Sequence, residues 1–259
     1  KSVAGDFSSA ELNIISEVSK NYADGKVHLT TRQGIEIHNI PENNIKYAKE
    51  DLEKNGVHLG ACGPRGRGIV ACPGATTCKF GLIETKELAE DLDELYFKKE
   101  APGKFKIAVS GCPNNCSKPI ENDVGIMGGV LPKWEKDKCI DCGLCEKVCP
   151  TEAIIKTAKG YELILDKCIL CGICINNCPV SAWIAEKKGY TLWLGGTMGK
   201  KPRLGTKAKI LIETKEELLK YIKNAFEFYK KHGRKKERFG HTLERVGLRD
   251  AIKEILNGD

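Results

Sequence analysis

Three features are missing from this chain, and each absence excludes a class of protein. No apolar run approaches the length of a membrane span, and no signal-peptide pattern opens the sequence. No G-x-G-x-x-G fingerprint follows a strand, so we expect no nicotinamide or flavin site within the chain. The sequence also begins at Lys1 rather than Met, as expected of a truncated or processed segment.

Cysteine, by contrast, is abundant, with 13 residues in a chain of 259. Without a secretory signal, this odd number favours metal-binding thiols in a reducing cytoplasm over disulfides. The formal charge of +7 is typical of proteins that bind nucleic acid. A four-thiolate [4Fe–4S] cluster carries a charge of about −2, however. We therefore attribute the basicity to cofactor binding and expect no nucleic-acid partner.

The most specific motif is a doubled cysteine run. Residues 139–150 and 168–179 each read C-x2-C-x2-C-x3-C-P. This is the bacterial two-cluster ferredoxin pattern, in which the fourth cysteine of each run binds the other cluster. The predicted first quartet is Cys139, Cys142, Cys145 and Cys178, and the second quartet is Cys149, Cys168, Cys171 and Cys174. Zinc sites favour separate cysteine pairs, so an electron-transfer module is the preferred interpretation.

Four other cysteines form a third quartet, Cys72, Cys78, Cys112 and Cys116, with the spacings C-x5-C and C-x3-C. Each pair follows an apolar run and is predicted to lie in a strand-to-helix turn, with a helix from about Thr85 after the first pair. Spacing alone leaves any four-thiolate site open, zinc included. Cys62 has no partner, so we expect a small buried apolar role for it.

The third quartet and four other segments resemble the sulfite and nitrite reductases that carry sirohaem coupled to a [4Fe–4S] cluster. C-x5-C followed by C-x3-C is the cluster signature of that family. The other segments occur in family order: T-T-R-Q within residues 27–33, a basic cofactor loop at 62–67, K-F-K at 104–106 and L-G-G at 194–196. Together these motifs cover most of the chain.

This resemblance implies sirohaem and three [4Fe–4S] clusters as cofactors, with Cys116 bridging the third cluster to the sirohaem iron. It implies that Arg67, Lys104 and Lys106 act on the substrate. The implied sirohaem contacts are Thr31, Arg32, Gln33, Arg65, Asn115, Lys118 and Cys116. A single basic residue is usually only solvated, but side chains two apart in a strand point to one face. Both lysines of K-F-K are therefore predicted to reach one pocket.

The predicted fold class is α+β. The resemblance implies a ferredoxin-like half-domain at 1–60, a sirohaem and cluster domain formed by 61–130 and 188–259, and an inserted ferredoxin domain at 131–187. Ser8-x-x-Glu11 and Thr214-x-x-Glu217 are predicted capping boxes. The predicted helices cover residues 10–21, about 42–55, 214–231 and 241–256. The basic stretch 233–240 is consistent with an anion patch, but a solvated linker is the commoner case and is the preferred prediction.

The implied activity is six-electron reduction of sulfite to sulfide, with electrons delivered through the built-in ferredoxin clusters. Nitrite reduction to ammonia remains open, as does a non-catalytic electron-transfer or sirohaem-binding role. An Arg that the family carries before its first helix would fall at or before Lys1. Because the chain has one sirohaem-type repeat, the resemblance implies a homo-oligomer or a related subunit. Reduced ferredoxin or a partner subunit is the expected electron donor.

Overall fold

The computed structural model describes residues 1–258. Its N-terminal part begins with helix α1 (Ser9–Tyr22), which has both hydrogen bonds of the predicted capping box. A short hairpin follows, β1 (His28–Leu29) and β2 (Ile35–Glu36), and then a 3₁₀ turn and helix α2 (Ile45–Lys54). The two helices pack around a small core of their own, formed by Ile15, Val18, Ala48, Leu52 and Val57.

The next part of the chain forms one half of a central sheet. Strand β3 (Val70–Ala71) is followed by helix α3 (Thr85–Tyr96), strand β4 (Ile107–Ser110) and strand β5 (Val124–Trp134). All three strands run parallel. The second cysteine pair differs from the prediction, because only a 3₁₀ turn, Pro119–Glu121, lies between it and β5.

A compact module lies between β5 and its antiparallel partner β8 (Trp183–Leu194). It consists of the short helix α4 (Leu144–Val148), the hairpin of β6 (Ile154–Thr157) and β7 (Gly160–Leu163), and the short helix α5 (Ile173–Asn176). The register of β5 and β8 continues to the pair Trp134 and Trp183. The cysteine-rich module is therefore carried at the far end of a long two-stranded extension of the sheet.

The chain then completes the sheet and covers it. Strand β9 (Thr206–Ile212) pairs with β8, which gives the order β3-β4-β5-β8-β9. Helix α6 (Lys215–His232) begins at Thr214, whose side chain accepts from the N–H of Glu217. The last predicted helix is in fact two, α7 (Phe239–Val246) and α8 (Leu248–Asn257), because Gly247 adopts a φ of 112° between them.

The main core lies between this sheet and helices α3, α6, α7 and α8. Phe105 is at its centre, with the rings of Phe226, Tyr229 and Phe239 within 5.1 to 5.9 Å. Phe105 therefore fixes the residues just before β4, among which are the two lysines of K-F-K. Within residues 1–258, no helix combines the length and the apolar character that crossing a membrane requires.

Candidate functional site

The first and second quartets each line a separate cavity in the module. Cys139, Cys142, Cys145 and Cys178 line one pocket, together with Tyr161 and Trp183. Cys149, Cys168, Cys171 and Cys174 line another. The structure thus brings the fourth cysteine of each run to the other run.

Backbone N–H groups point at the sulfur atoms in the same way in both halves of the repeat. Ala153 donates to Cys149 Sγ at 3.2 Å, and Ala182 donates to Cys178 Sγ at 3.1 Å. Asp141 and Leu170 make the corresponding longer contacts of 3.4 Å to Cys139 and Cys168. These donors stabilise negative charge on sulfur, which is the state of a cluster ligand.

The buried thiols need a metal to lose their protons. Burial raises the pKa of Cys174 to about 12, and the neighbouring thiols Cys171 and Cys168 raise it further. Among residues 1–258, no three Cys, His, Asp or Glu side chains are grouped closely enough to hold a single metal ion. Four thiols around one pocket are the ligand set of a [4Fe–4S] cluster.

The third quartet forms at one edge of the sheet. Cys72 follows β3 and Cys112 follows β4, and because these strands are parallel they end at the same edge. Burial raises the pKa of the Cys112 thiol, and the thiols of Cys116, Cys72 and Cys78 raise it too, so all four lie near one another. Cys112 is buried, whereas Cys116 is exposed. The exposed thiol is the one that the family resemblance assigns to the bridge.

Residues 112–123 then return across the sheet. The Ser117 hydroxyl donates to the Val109 carbonyl at 2.6 Å, which fixes the segment against the end of β4. Glycine is required beneath it, since a Cβ at Gly125 would lie 2.3 Å from the Pro119 carbonyl. Because β5 is parallel to β4 and starts beside Ile107, the segment ends at the opposite edge of the sheet.

The T-T-R-Q segment is bound along β3, with Arg32 at that opposite edge and Gln33 at the edge where Cys72 lies. Arg32 donates from Nη1 to Asn122 Oδ1 at 2.8 Å and from Nη2 to the Gly68 carbonyl at 2.9 Å. Burial lowers the pKa of Arg32 to about 10. The Gln33 amide bonds to both the carbonyl and the N–H of Ala71, at 2.7 and 3.0 Å. Gln33 thus anchors the segment, and Arg32 is held half-buried beside β5.

The K-F-K lysines lie at the same edge of the sheet as Arg32. Strand β4 begins only at Ile107, but exposure alternates before it, because Phe105 is buried whereas Lys104 is exposed and Lys106 half-buried. Burial lowers the pKa of Lys106 to about 8, and the positive charges of Arg32 and Arg238 lower it further. The cations that influence one another here, which we call the cation group, are Arg32, Arg67, Lys104, Lys106 and Arg238.

The basic loop contributes donors that have no acceptor. Arg67 bonds through Nη1 to the Ala61 carbonyl and through Nη2 to the Gly63 carbonyl, at 3.0 Å in the second case. The Nε atoms of Arg65, Arg67 and Arg238 are buried, and none has a hydrogen-bond partner among residues 1–258. Buried donors of this kind require acceptors. An anionic group such as sirohaem, with its carboxylates, fits this requirement.

The remaining predicted residues lie around the returning segment. Asn115 and Lys118 adopt positive φ values of 58° and 56°, and Asn115 Oδ1 accepts from the N–H of Ile120 at 3.3 Å. Lys118 and Thr31 are exposed. Cys62 is also exposed, so the prediction that it is buried was wrong. It precedes Gly63 in a surface loop rather than in an apolar strand.

Three residues of this site were not predicted: Asn122, Asp123 and Arg238. Asp123 is fully buried and accepts from Arg238 Nη2 at 2.7 Å. The two residues are 115 positions apart, and Arg238 lies in the stretch that was interpreted as a solvated linker. No local spacing pattern could have paired them.

Comparison with known proteins gives matches along nearly the whole chain. The family model described as "Nitrite and sulphite reductase 4Fe-4S domain" matches residues 62–258, and "Nitrite/Sulfite reductase ferredoxin-like half domain" matches residues 1–55. The coenzyme F420-dependent sulfite reductase of Methanocaldococcus jannaschii is 36% identical over 97% of this chain and 40% of that protein. This chain therefore spans less than half of that relative.

Two further proteins are similar over most of the chain. A subunit of the anaerobic sulfite reductase of Salmonella typhimurium is 31% identical over 95% of this chain and 79% of that protein. The crystal structure of dissimilatory sulfite reductase I matches with a TM-score of 0.79 at 20% identity, over 99% of this chain and 67% of that one. At that identity the structural match establishes the fold alone.

Proposed function

Because this chain belongs to the nitrite and sulphite reductase family, we propose that it reduces sulfite to sulfide. One observation carries the proposal: residues 112–123 run from a four-thiol set at one sheet edge to the cation group at the other. Along this path Cys116 is exposed. A redox cofactor and an oxyanion site would thus share one short segment of chain.

The proposed ligands follow from the site. The third quartet would hold one [4Fe–4S] cluster, and the first and second quartets would hold two more. Sirohaem would be held by Cys116, by Arg32 and Arg65, and by the polar residues of the two nearby loops, which are Thr31, Asn115 and Lys118. Since the Gln33 amide is bonded to Ala71, we assign it the role of fixing the T-T-R-Q segment. When bound, these groups would supply single electrons and the iron that takes the oxyanion.

The side chains would bind and protonate the substrate. Arg67, Lys104 and Lys106 provide positive charge for a small oxyanion, and each oxygen that leaves as water consumes protons. Because the pKa of Lys106 is about 8, its ammonium group is protonated at neutral pH and still gives up a proton readily. Lys106 is therefore the proposed proton donor.

The proposal includes two partners. An external donor, either reduced ferredoxin or a partner subunit, would deliver electrons to the module. A second copy of the chain or a related subunit would complete the substrate pocket, since the chain has a single sirohaem-type repeat. Sulfite turnover at the full rate by a protein that sediments as a monomer would refute the shared pocket.

The test starts from anaerobically purified protein. We expect acid extraction to release sirohaem and the iron content to match three clusters and one sirohaem. Reduced methyl viologen should then support sulfide formation from sulfite, with nitrite as the competing substrate in a parallel assay. Faster turnover of nitrite would reassign the substrate. Iron–sulfur absorption without extractable sirohaem would leave an electron carrier and refute the proposed reaction.

A further inference from the structure

The turn before α7 contributes a cation to the site. Arg238 is the residue that precedes the first turn of α7, and its side chain is only 20% exposed. It donates from Nη2 to Asp123 Oδ2 at 2.7 Å, and Asp123 has no exposed surface at all. A buried carboxylate is retained only where it is paired and hydrogen-bonded. Arg238 therefore lies within the sheet edge and not in a solvated linker.

Asp123 also connects this arginine to the K-F-K segment. The same Oδ2 atom accepts from the backbone N–H of Lys106 at 2.8 Å. The preceding residue, Asn122, accepts from Arg32 at 2.8 Å. Asn122 and Asp123 are adjacent, and together they bind the Arg32 side chain, the Lys106 backbone and the Arg238 side chain. Together these contacts set the arrangement of the cation group.

The bonding of this group is incomplete. Asp123 is the carboxylate that acts on Arg32 and Lys106, and the cations of the group are half-buried except for the exposed Lys104. Arg238 Nε is buried without an acceptor, and Asp123 Oδ1 is buried without a donor. Positive charge held away from water is costly unless an anion compensates it. Because Nε itself is closed to solvent, the exposed fifth of the Arg238 side chain is the part that an anion from outside the chain can reach.

We propose that Arg238 is an anion-binding residue of this site and that Asp123 is the positioning residue that aims it. The ligand is a carboxylate or a small oxyanion. The proposed function supplies two sources of that chemistry, a sirohaem carboxylate and sulfite, and the inference depends on the proposed function for this choice alone. The competing interpretation is an ion pair that merely holds α7 against the sheet.

The experiment compares Arg238→Gln with Arg245→Gln in the full chain purified anaerobically. Arg245 is the matched control, because it also makes an ion pair from α7, to Glu237 at 2.8 Å, but is not in the cation group. Three quantities are measured for each protein: the melting temperature, the sirohaem extracted per chain, and the rise in melting temperature with added sulfite. Arg238→Lys and Asp123→Asn complete the set.

We expect Arg238→Gln to weaken anion binding by about tenfold, the effect of one charge-assisted hydrogen bond, and to melt below Arg245→Gln because it leaves Asp123 buried without its cation. Less sirohaem per chain would identify the cofactor carboxylate as the ligand. Normal sirohaem with a weakened sulfite response would identify the substrate. Arg238→Lys should recover part of either loss, and Asp123→Asn should reproduce part of it.

Wild-type values for sirohaem and for the sulfite response in Arg238→Gln, with only a lower melting temperature, would overturn the proposal. If Arg238→Gln does not fold, Arg238→Lys decides, and unchanged anion binding in that variant overturns it equally. A wild-type protein that retains sirohaem but turns over no sulfite would refute the proposed function alone. The loss of sirohaem in Arg238→Gln would then still support the anion site.

Discussion

The Leu170 carbonyl accepts a hydrogen bond from the backbone N–H of Val130 at 2.9 Å. Leu170 lies between two cysteines of the second quartet and is buried, and Val130 lies in β5. The same loop approaches Leu82, whose N–H donates at 2.7 Å to the Gly111 carbonyl beside the third quartet. The second quartet therefore joins the module to the sheet, whereas the first, next to Ile140 at 62% exposure, faces solvent.

This contact predicts unequal effects for two equivalent glycines. Gly143 and Gly172 both precede a short helix with φ near 70°, so alanine costs about 1 kcal/mol at either position. A Cβ at Gly172 would also lie 2.7 Å from Val130 Cγ1, whereas at Gly143 the nearest atom is the Tyr161 hydroxyl at 3.9 Å. We expect Gly172→Ala to lower the free energy of unfolding by about 1 kcal/mol more than Gly143→Ala.

Anaerobic urea unfolding measures this difference. Val130→Ala in the Gly172→Ala background provides the control, because it removes the methyl group that the new Cβ would meet. In a double-mutant cycle, Gly172→Ala should cost about 1 kcal/mol less in the Val130→Ala background than in the wild-type protein. Equal destabilisation by the two glycine replacements would contradict the contact between the module and β5.

The two module quartets are the part of the site that the sequence describes in most detail. The C-x2-C-x2-C-x3-C-P run occurs twice, and the two-cluster pattern assigns the fourth cysteine of each run to the other cluster. In the structure the four cysteines of each predicted quartet line one pocket. The signal is a repeated motif, which is recognisable without knowledge of the fold.

The long-range part of the site could not be predicted in this way. Asp123 and Arg238 belong to segments that meet only because α6 and α7 pack on the sheet around Phe105. The break at Gly247 is different, because an isolated glycine inside a helical pattern is visible in the sequence. The helical periodicity of Leu243 and Ile252 outweighed that signal and led to the prediction of one continuous helix. The prediction that Cys62 is buried was wrong because burial depends on the surrounding fold.

Trp183 is predicted to affect the reduction potential of the cluster held by the first quartet. Burial raises the pKa of the Cys145 thiol, and the Trp183 indole beside it acts in the opposite direction, although the indole N–H has no hydrogen-bond partner among residues 1–258. An N–H that turns to a cluster sulfur stabilises the reduced cluster. Trp183→Phe should therefore lower the reduction potential of one cluster by about 40 mV, which corresponds to a hydrogen bond of ~1 kcal/mol in a one-electron couple.

Potentiometric titration followed by electron paramagnetic resonance measures that shift. Trp134→Phe is the matched control, because the Trp134 indole packs against Tyr161 and, unlike Trp183, does not act on the Cys145 thiol. We expect no shift in this variant. A shift of the same size in both variants would show that ring packing, and not the Trp183 N–H, sets the potential.

The pKa of Lys106 predicts the alkaline limit of sulfite reduction, that is, the pH above which turnover declines. Its pKa is lowered to about 8 by burial and by Arg32, Arg238 and Lys104, while Asp123 acts in the opposite direction. The ammonium form is present below this pKa and is lost as the pH rises through it. Turnover that requires the proton should therefore fall above about pH 8. Lys106→Arg should lower turnover at every pH and abolish this limit, because a guanidinium keeps its proton.

The pH dependence of kcat/KM for wild-type and variant enzyme tests the assignment. Lys104→Arg is the comparison, because Lys104 is exposed, and we expect it to leave the alkaline limit where it is. Asp123→Asn should lower the limit, since it removes the negative charge that favours the ammonium form. An unchanged limit in Lys106→Arg would exclude Lys106 as the titrating group.

Glu237 predicts an acid-dependent loss of stability in the turn that carries Arg238. It accepts from Arg245 Nε at 2.9 Å and Nη2 at 2.8 Å, and this pairing lowers its pKa to about 2. Because the pKa is depressed, the stabilisation is present above the unfolded value of about 4.3 and is lost as the pH falls towards 2. Glu237→Gln should cost about 1 kcal/mol at pH 7, allowing for solvent screening. The difference from wild type in urea unfolding should shrink below about pH 4.

Glu227→Gln is the control, because it breaks an exposed pair with Lys230 on α6, and it should show neither effect. A pH-independent loss in Glu237→Gln would mean that packing rather than charge holds the turn.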